Sequence, residues 1–239
     1  MANMRLDKLL VNTGIGSRKE VKQYIKQGIV MINNNMASDP GMHVDPEKDS
    51  IYIDGNKVEY RDFYYIMLNK PKDVISATWD STDTTVIDLL PPKYGHVDLF
   101  PAGRLDKDTE GLILLTNDGK LSHSLLSPKK KVGKTYFAII DGCVTQRDID
   151  IFKNGIKLED DFITLPAQLE IIKAGDKSEV YVTIYEGKFH QIKRMFKYID
   201  KKVAYLKRIS IGPLVLDQDL ELGEFRELTA QEIEALNNI

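Results

Sequence analysis

Apolar positions at helical spacing open the chain. Leu6, Leu9 and Leu10 fall at i, i+3 and i+4, with Arg5, Asp7 and Lys8 off that face, and this spacing predicts a short helix over 5–13. Gly14 and Gly16 interrupt it. Ser17 with Glu20 three residues later forms a capping box. The second helix it opens runs to about Gln27, with Val21, Tyr24 and Ile25 inward and Arg18, Lys19, Lys22 and Lys26 outward. Gly28 ends it. The period then drops to two: residues 29–33 alternate as a strand, Asn33-Asn34-Asn35 is a turn, further short strands follow near His43 and at 50–53, and Asp54-Gly55 is a tight hairpin turn. This unit closes at about residue 60. Two short helices and a hairpin bury little core alone, so it reads as an accessory domain.

A second unit begins with an aromatic strand over 63–68, which ends at Asn69-Lys70-Pro71 where proline stops regular structure. The pattern predicts a short helix over 85–90 before Pro91-Pro92, a buried strand over 112–116, a turn at Asn117-Asp118-Gly119 and a helix over 120–126. A strand over 134–141, a helix over 146–153, a strand over 179–185 and a basic helix over 191–198 follow. A strand around Gly212-Pro213 within 206–216 and a helix over 230–236 capped by Thr229 complete the chain. Strands and helices mix without a βαβ rhythm, which makes the fold α+β. The expected domains are residues 1–60 and 61–239.

With 42% hydrophobic and 29% charged residues the composition is globular. The single cysteine, Cys143, excludes an intrachain disulfide, fits a reducing cytosol and is expected to be a small core residue. The first ten residues have no apolar core, so a cytoplasmic location is expected. The longest uncharged apolar runs, 63–68 and 112–115, are too short to span a bilayer, and no membrane partner is expected. His43, His96, His123 and His190 are scattered without metal-ligand spacing, and no phosphate-loop or dinucleotide fingerprint occurs, so neither metal nor cofactor is expected. No long apolar stripe demands a partner, and a monomer is expected.

The net charge of −3 by itself argues against a nucleic-acid partner, but the charge is segregated. Lys188, Lys193, Arg194, Lys197, Lys201, Lys202, Lys207 and Arg208 face only Asp200 in their segment, a local +7, and residues 1–35 carry +4. Each run is either a solvated helix face or part of a local positive field suited to phosphates.

The spacing of Arg5-Leu6-Asp7-Lys8-Leu9-Leu10, Gly14, Ser17-Arg18, Ile25, Gly28 and Val30 resembles the S4 RNA-binding domain over residues 3–50. That resemblance implies RNA contacts from Arg5, Lys8, Ser17, Arg18, Lys19 and Lys22, made to phosphates without reading sequence. The alternative is a helical hairpin with a solvated face.

Gly103-Arg104-Leu105-Asp106-Lys107-Asp108-Thr109-Glu110-Gly111-Leu112 forms a loop between Pro101 and a buried strand. On residue chemistry alone, Asp106 and Asp108 are a carboxylate pair, metal ligands or turn formers. The whole string, however, resembles the signature loop of the pseudouridine synthases. Asn69-Lys70-Pro71, Lys134-Thr135-Tyr136 and the segment from Glu186-Gly187-Lys188-Phe189-His190-Gln191 to Lys193-Arg194-Met195-Phe196 resemble three further segments of that family, in the family's order. Behind an S4-like domain, they point to the RsuA branch, which acts on ribosomal RNA. The resemblance implies a catalytic domain built on a mixed, mainly antiparallel sheet with flanking helices.

It also implies roles. Asp106 is the nucleophile, toward C1′ of the ribose or C6 of the base. Lys193 pairs with it, and Tyr136 stacks on the base. Arg104 fills the gap left by the extruded nucleotide or grips a neighbouring phosphate, and Lys134 and Arg194 contact RNA. His190 either hydrogen-bonds RNA or supports its loop. The His190-to-Phe196 segment is most similar to small-subunit (16S) members, so the expected partner is 16S rRNA or a small-subunit assembly intermediate. The competing readings are a large-subunit (23S) synthase, a non-catalytic rRNA-binding assembly factor, and a metal-dependent phosphodiesterase built on Asp106 and Asp108.

Overall fold

The N-terminal helices form where the apolar spacing places them. In a computed structural model describing residues 3–239, α1 is Leu6–Asn12 and α2 is Arg18–Lys26. The Ser17 hydroxyl accepts from the Glu20 N–H, and the Glu20 carboxylate accepts from the Ser17 N–H at 2.8 Å, so the cap satisfies two backbone donors at the start of the helix. Asn33 and Asn34 (φ 49° and 69°) make the turn between β2 (Val30–Ile32) and β3 (Asn35–Met36). Asp54 and Gly55 (φ 48° and 76°) do the same between β5 (Ile51–Ile53) and β6 (Asn56–Lys57). Left-handed pairs of this kind match the twist of a two-residue hairpin. The order is β3-β2-β5-β6, beside a two-stranded pair of β1 (Met4–Arg5) with β4 (His43–Val44). Leu6, Leu9, Leu10, Val21, Ile25, Val30 and Ile51 form this unit's own core.

Contacts between Cα atoms divide the chain into residues up to Phe63 with Pro91–Leu99, and Tyr64–Leu90 with Phe100–Ile239. The second unit is one nine-stranded sheet, ordered β11-β12-β10-β13-β9-β7-β15. In chain order its strands are β7 (Tyr65–Lys70), β8 (Phe100–Pro101), β9 (Glu110–Thr116), β10 (Lys134–Asp141), β11 (Gln168–Lys173), β12 (Lys177–Ile184), β13 (Lys202–Ile211), β14 (Leu214–Val215) and β15 (Phe225–Glu227). β8 pairs with β9 and β14 with β13. Every pairing is antiparallel except β9 with β13, which meet in parallel at Glu110↔Lys207 and Gly111↔Arg208. The sheet is mixed and mainly antiparallel.

Helices α4 (Gln146–Asn154) and α5 (Gln191–Tyr198) send Phe152, Ile192, Met195 and Phe196 into one core with β10 and β12. Leu121 and Leu125 of α3 (Gly119–Leu126) and Leu236 of α6 (Ala230–Asn237) join a second core with β7 and β9. The β9–β13 junction joins these halves. There β9 lies so close to β13 that a Cβ on Gly111 would sit 2.2 Å from the Arg208 carbonyl oxygen, and Gly111 itself has φ 102°. Only glycine fits that approach.

Two expectations fail here. Residues 85–90 are turns, not a helix: the Thr85 N–H and hydroxyl both donate to Asp88, Val86 N–H is drawn to the Ile75 carbonyl, and Pro91 closes off continuation. Cys143 is exposed, because it follows Gly142 just past the end of β10. The sequence reading also misses strand β11, an edge strand whose alternation is short: Gln168-Leu169-Glu170-Ile171 turns Leu169 and Ile171 toward the core, and the exposed Ile172 then breaks the pattern.

Candidate active site

The loop between β8 and β9 carries Asp106, and it is held from behind. The Ser76 hydroxyl donates to the Leu105 carbonyl and accepts from the Leu105 N–H, both at 3.0 Å. Asp73 N–H donates to the Lys107 carbonyl at 2.9 Å. Lys70 is fully buried beneath the loop, its ammonium donating to the carbonyls of Pro71 (2.8 Å) and Lys107 (3.4 Å). Burial pushes the Lys70 ammonium down to about 8, against the opposing pull of Asp108, Glu110, Asp106 and Asp73. Within the loop the Asp106 carbonyl accepts from Thr109 N–H at 3.0 Å.

Lys193 comes from α5. Ile192, Met195 and Phe196 bury one face of that helix, so Lys193 emerges beside it. Its ammonium donates to Asp106 Oδ2 at 3.1 Å and Asp108 Oδ1 at 2.6 Å. Burial would lower this lysine and raise Asp108. The bonds they share outweigh burial for both, so Lys193 is held above and Asp108 below its ordinary range. His190, at the N-terminus of α5, adopts φ 51°, and its Nε2 lies 3.6 Å from Asp106 Oδ2. Its ring stacks on Phe189 at 3.8 Å. The approach segment is fixed by Gln191, whose Oε1 accepts from Lys188 N–H and whose amide donates to Glu186.

Asp106, Tyr136, Lys193, His190 and Arg104 line one cleft of about 910 Å³. Tyr136 is buried in its wall, opposite Arg208 across β10 and β13. Arg104 is exposed at the cleft with no ion pair among the described residues. The three residues expected to do the chemistry are therefore brought together from β10, α5 and the signature loop.

The expected RNA contacts divide. Arg5, Lys8, Ser17, Arg18, Lys19 and Lys22 are exposed on the N-terminal unit. Arg5 already forks onto Asp7 through Nε and Nη2, both at 2.9 Å, and the Ser17 hydroxyl serves the cap. Lys134 departs from expectation. It is buried, and its ammonium donates to the carbonyls of Val132 (3.2 Å) and Leu125 (3.4 Å), so it is no surface contact for RNA. Arg194 pairs with Asp160. The strongly positive segment is also less positive in space than along the chain. Lys193, Arg194, Lys197 and Lys201 pair with Asp106 and Asp108, Asp160, Glu159 and Asp148, and Arg208 is buried. Charge counting could not see those partners, which come from distant loops and from the first turn of α4. It likewise missed Ser76 and the buried Arg208.

No group of three or more His, Cys, Asp or Glu arranged to hold a metal occurs among the described residues. Nor is any described helix long and apolar enough to cross a membrane.

Family comparisons agree with this geometry. Residues 64–198 match the RNA pseudouridylate synthase family and residues 4–51 the S4 domain. The chain is 51% identical over 236 residues to an uncharacterized RNA pseudouridine synthase, YtzG, of Bacillus subtilis, covering 98% of each. It is 40% identical to ribosomal small subunit pseudouridine synthase A of Vibrio parahaemolyticus, covering 98% of this chain and all of that one. It is 35% identical to ribosomal large subunit pseudouridine synthase B of Bacillus subtilis, covering 97% and 95%. A crystal structure of a pseudouridylate synthase superposes with a TM-score of 0.68 at 36% identity, over 98% of this chain and 99% of that one. With both domains matched and the relatives covered nearly end to end, the chain belongs to the RNA pseudouridine synthases of the RsuA type, which carry an N-terminal S4 domain.

Proposed function

We propose that this enzyme isomerises a uridine of ribosomal RNA, in the small-subunit 16S molecule, with Asp106 as the nucleophile. The observation that carries the reading is the Asp106 carboxylate held by Lys193 in a cleft walled by Tyr136. The carboxylate adds to an extruded uridine at C1′ or C6. The N1–C1′ bond breaks, C5 bonds to C1′, the bond to the Asp106 carboxylate breaks and frees it, the C5 proton leaves and N1 gains one. No atom is lost and no redox partner is needed. Tyr136 stacks on the base, and its hydroxyl assists removal of the C5 proton. Arg104 occupies the space vacated by the nucleotide, and His190 supports the loop beside Asp106.

The N-terminal domain, residues 1–60, supplies affinity through Arg5, Lys8, Arg18, Lys19 and Lys22. The enzyme acts as a cytoplasmic monomer without metal or cofactor. The choice of 16S rRNA rests on greater identity to the small-subunit than to the large-subunit relative, 40% against 35%. The test is a pseudouridine map of both ribosomal RNAs incubated with wild type or Asp106→Asn. A single new site in 16S rRNA, absent with the variant, is expected. A site in 23S rRNA overturns the substrate. Full activity of Asp106→Asn overturns the nucleophile.

A further inference from the structure

Two cations lie buried in the lining of the cleft, and neither has an acidic partner. Arg208 is 2% exposed and Lys134 5% exposed, and both belong to the cleft wall. Neither enters an ion pair among the described residues. Arg208 Nε donates to the Leu112 carbonyl at 2.7 Å, but its Nη2 is buried with no hydrogen-bond partner. Its strand neighbour is Tyr136, and Lys134 precedes Tyr136 by two positions on the same face of β10. Burying an unpaired donor and a second cation near it is costly unless something in the cleft compensates. Lys134 registers that cost: burial first, then the charge of Arg208, lowers it to about 8.

We propose that Arg208, supported by Lys134, donates to a carbonyl oxygen of the target uracil and stabilises the negative charge that the base acquires during reaction. The proposal rests on the pseudouridine synthase reading of this cleft. Attack at C1′ leaves the N1–C1′ electron pair on the base, spread over N1, O2 and O4. Attack at C6 pushes a pair through C5 onto O4. In both routes charge grows on an oxygen that a donor-only side chain suits. The same donor rejects a base with a poorer acceptor at that position, because Nη2 would stay unpaired.

The test is calorimetric binding of uridine 5′-monophosphate, its 2-thio analogue and its 4-thio analogue to the full-length protein, without turnover. Sulfur is the weaker acceptor. One thio analogue is expected to bind wild type about tenfold more weakly than the parent nucleotide, and which one identifies the oxygen. In Arg208→Met that penalty should vanish, and in Lys134→Met it should shrink. Arg208→Lys serves if Arg208→Met does not fold. Lysine has no second nitrogen in the place of Nη2, so the penalty should again fall. Equal binding of all three nucleotides to wild type, a penalty that persists in a folded Arg208 variant, or no nucleotide binding at millimolar concentration would each overturn the proposal. A penalty with an empty pseudouridine map would leave this subsite standing and remove the functional reading. A positive map without a penalty would do the reverse.

Discussion

Gly111→Ala is expected to be among the most damaging small substitutions in this enzyme. The new methyl would meet backbone, not a yielding side chain: 2.2 Å to the Arg208 carbonyl oxygen and 2.7 Å to its nitrogen. The residue must also keep φ near 102°, which costs an alanine about 1–3 kcal/mol. Separating two packed strands adds about 1–3 kcal/mol more. The sum, roughly 2–6 kcal/mol, is a large part of the about 5–15 kcal/mol that stabilises a typical protein. At about 2–4 °C per kcal/mol for a chain of this size, the melting temperature should fall by roughly 4–24 °C. The parallel pairing consists of two residue pairs, Glu110↔Lys207 and Gly111↔Arg208. Strain there should therefore also displace the Asp106 loop from Lys193, and turnover should drop. Gly119→Ala is the control: nothing lies within 4 Å of its added Cβ, and it begins α3. It should be neutral or stabilise by up to about 1 kcal/mol. Thermal melts of both variants, with turnover on the mapped RNA, make the comparison. A Gly111→Ala protein melting within about 2 °C of wild type would refute the close-approach argument.

Three other outcomes are expected. Lys193→Met leaves Asp106 and Asp108 facing each other without their shared cation, and single-turnover rate should fall about 100-fold or more, whereas Lys193→Arg should retain most of it. Equal rates for Met and Arg would remove the pairing from the mechanism. Replacing Arg18, Lys19 and Lys22 together with Gln should weaken RNA binding evenly across sequences and reduce the slope of log affinity against log salt by roughly 2–3. An unchanged slope would move the RNA path off α2. Lys70 is lowered from 10.5 to about 8 in the folded state, so between those values the unfolded chain binds the extra proton and stability rises with pH. The stability of wild type relative to Lys70→Met should therefore improve as pH rises from 8 toward 10. Denaturant melts showing a constant difference would rule out the lowering of Lys70 by burial.

Local chemistry was legible in the sequence because local rules act over a few residues. The Ser17–Glu20 cap, the Asn33-Asn34 and Asp54-Gly55 turns, strand β10 and helix α5 all stand where spacing and turn residues place them. The signature loop was legible as a motif, and Asp106, Tyr136 and Lys193 do line one cleft. What sequence could not supply was the set of partners. Residues 85–90 look helical until Asp88 captures the Thr85 N–H and hydroxyl. Edge strand β11 alternates over only four residues, Gln168 to Ile171, too short a run to stand out until it pairs with β12. The basic segment reads as a positive surface until Asp160, Glu159 and Asp148 arrive from elsewhere in the chain to neutralise it. Arg208 and Lys134 count as surface charge in any linear reading. Only the folding of β13 beside β10 and β9 turns them into a buried pair at the cleft, since burial and charge compensation depend on neighbours hundreds of atoms away along the chain.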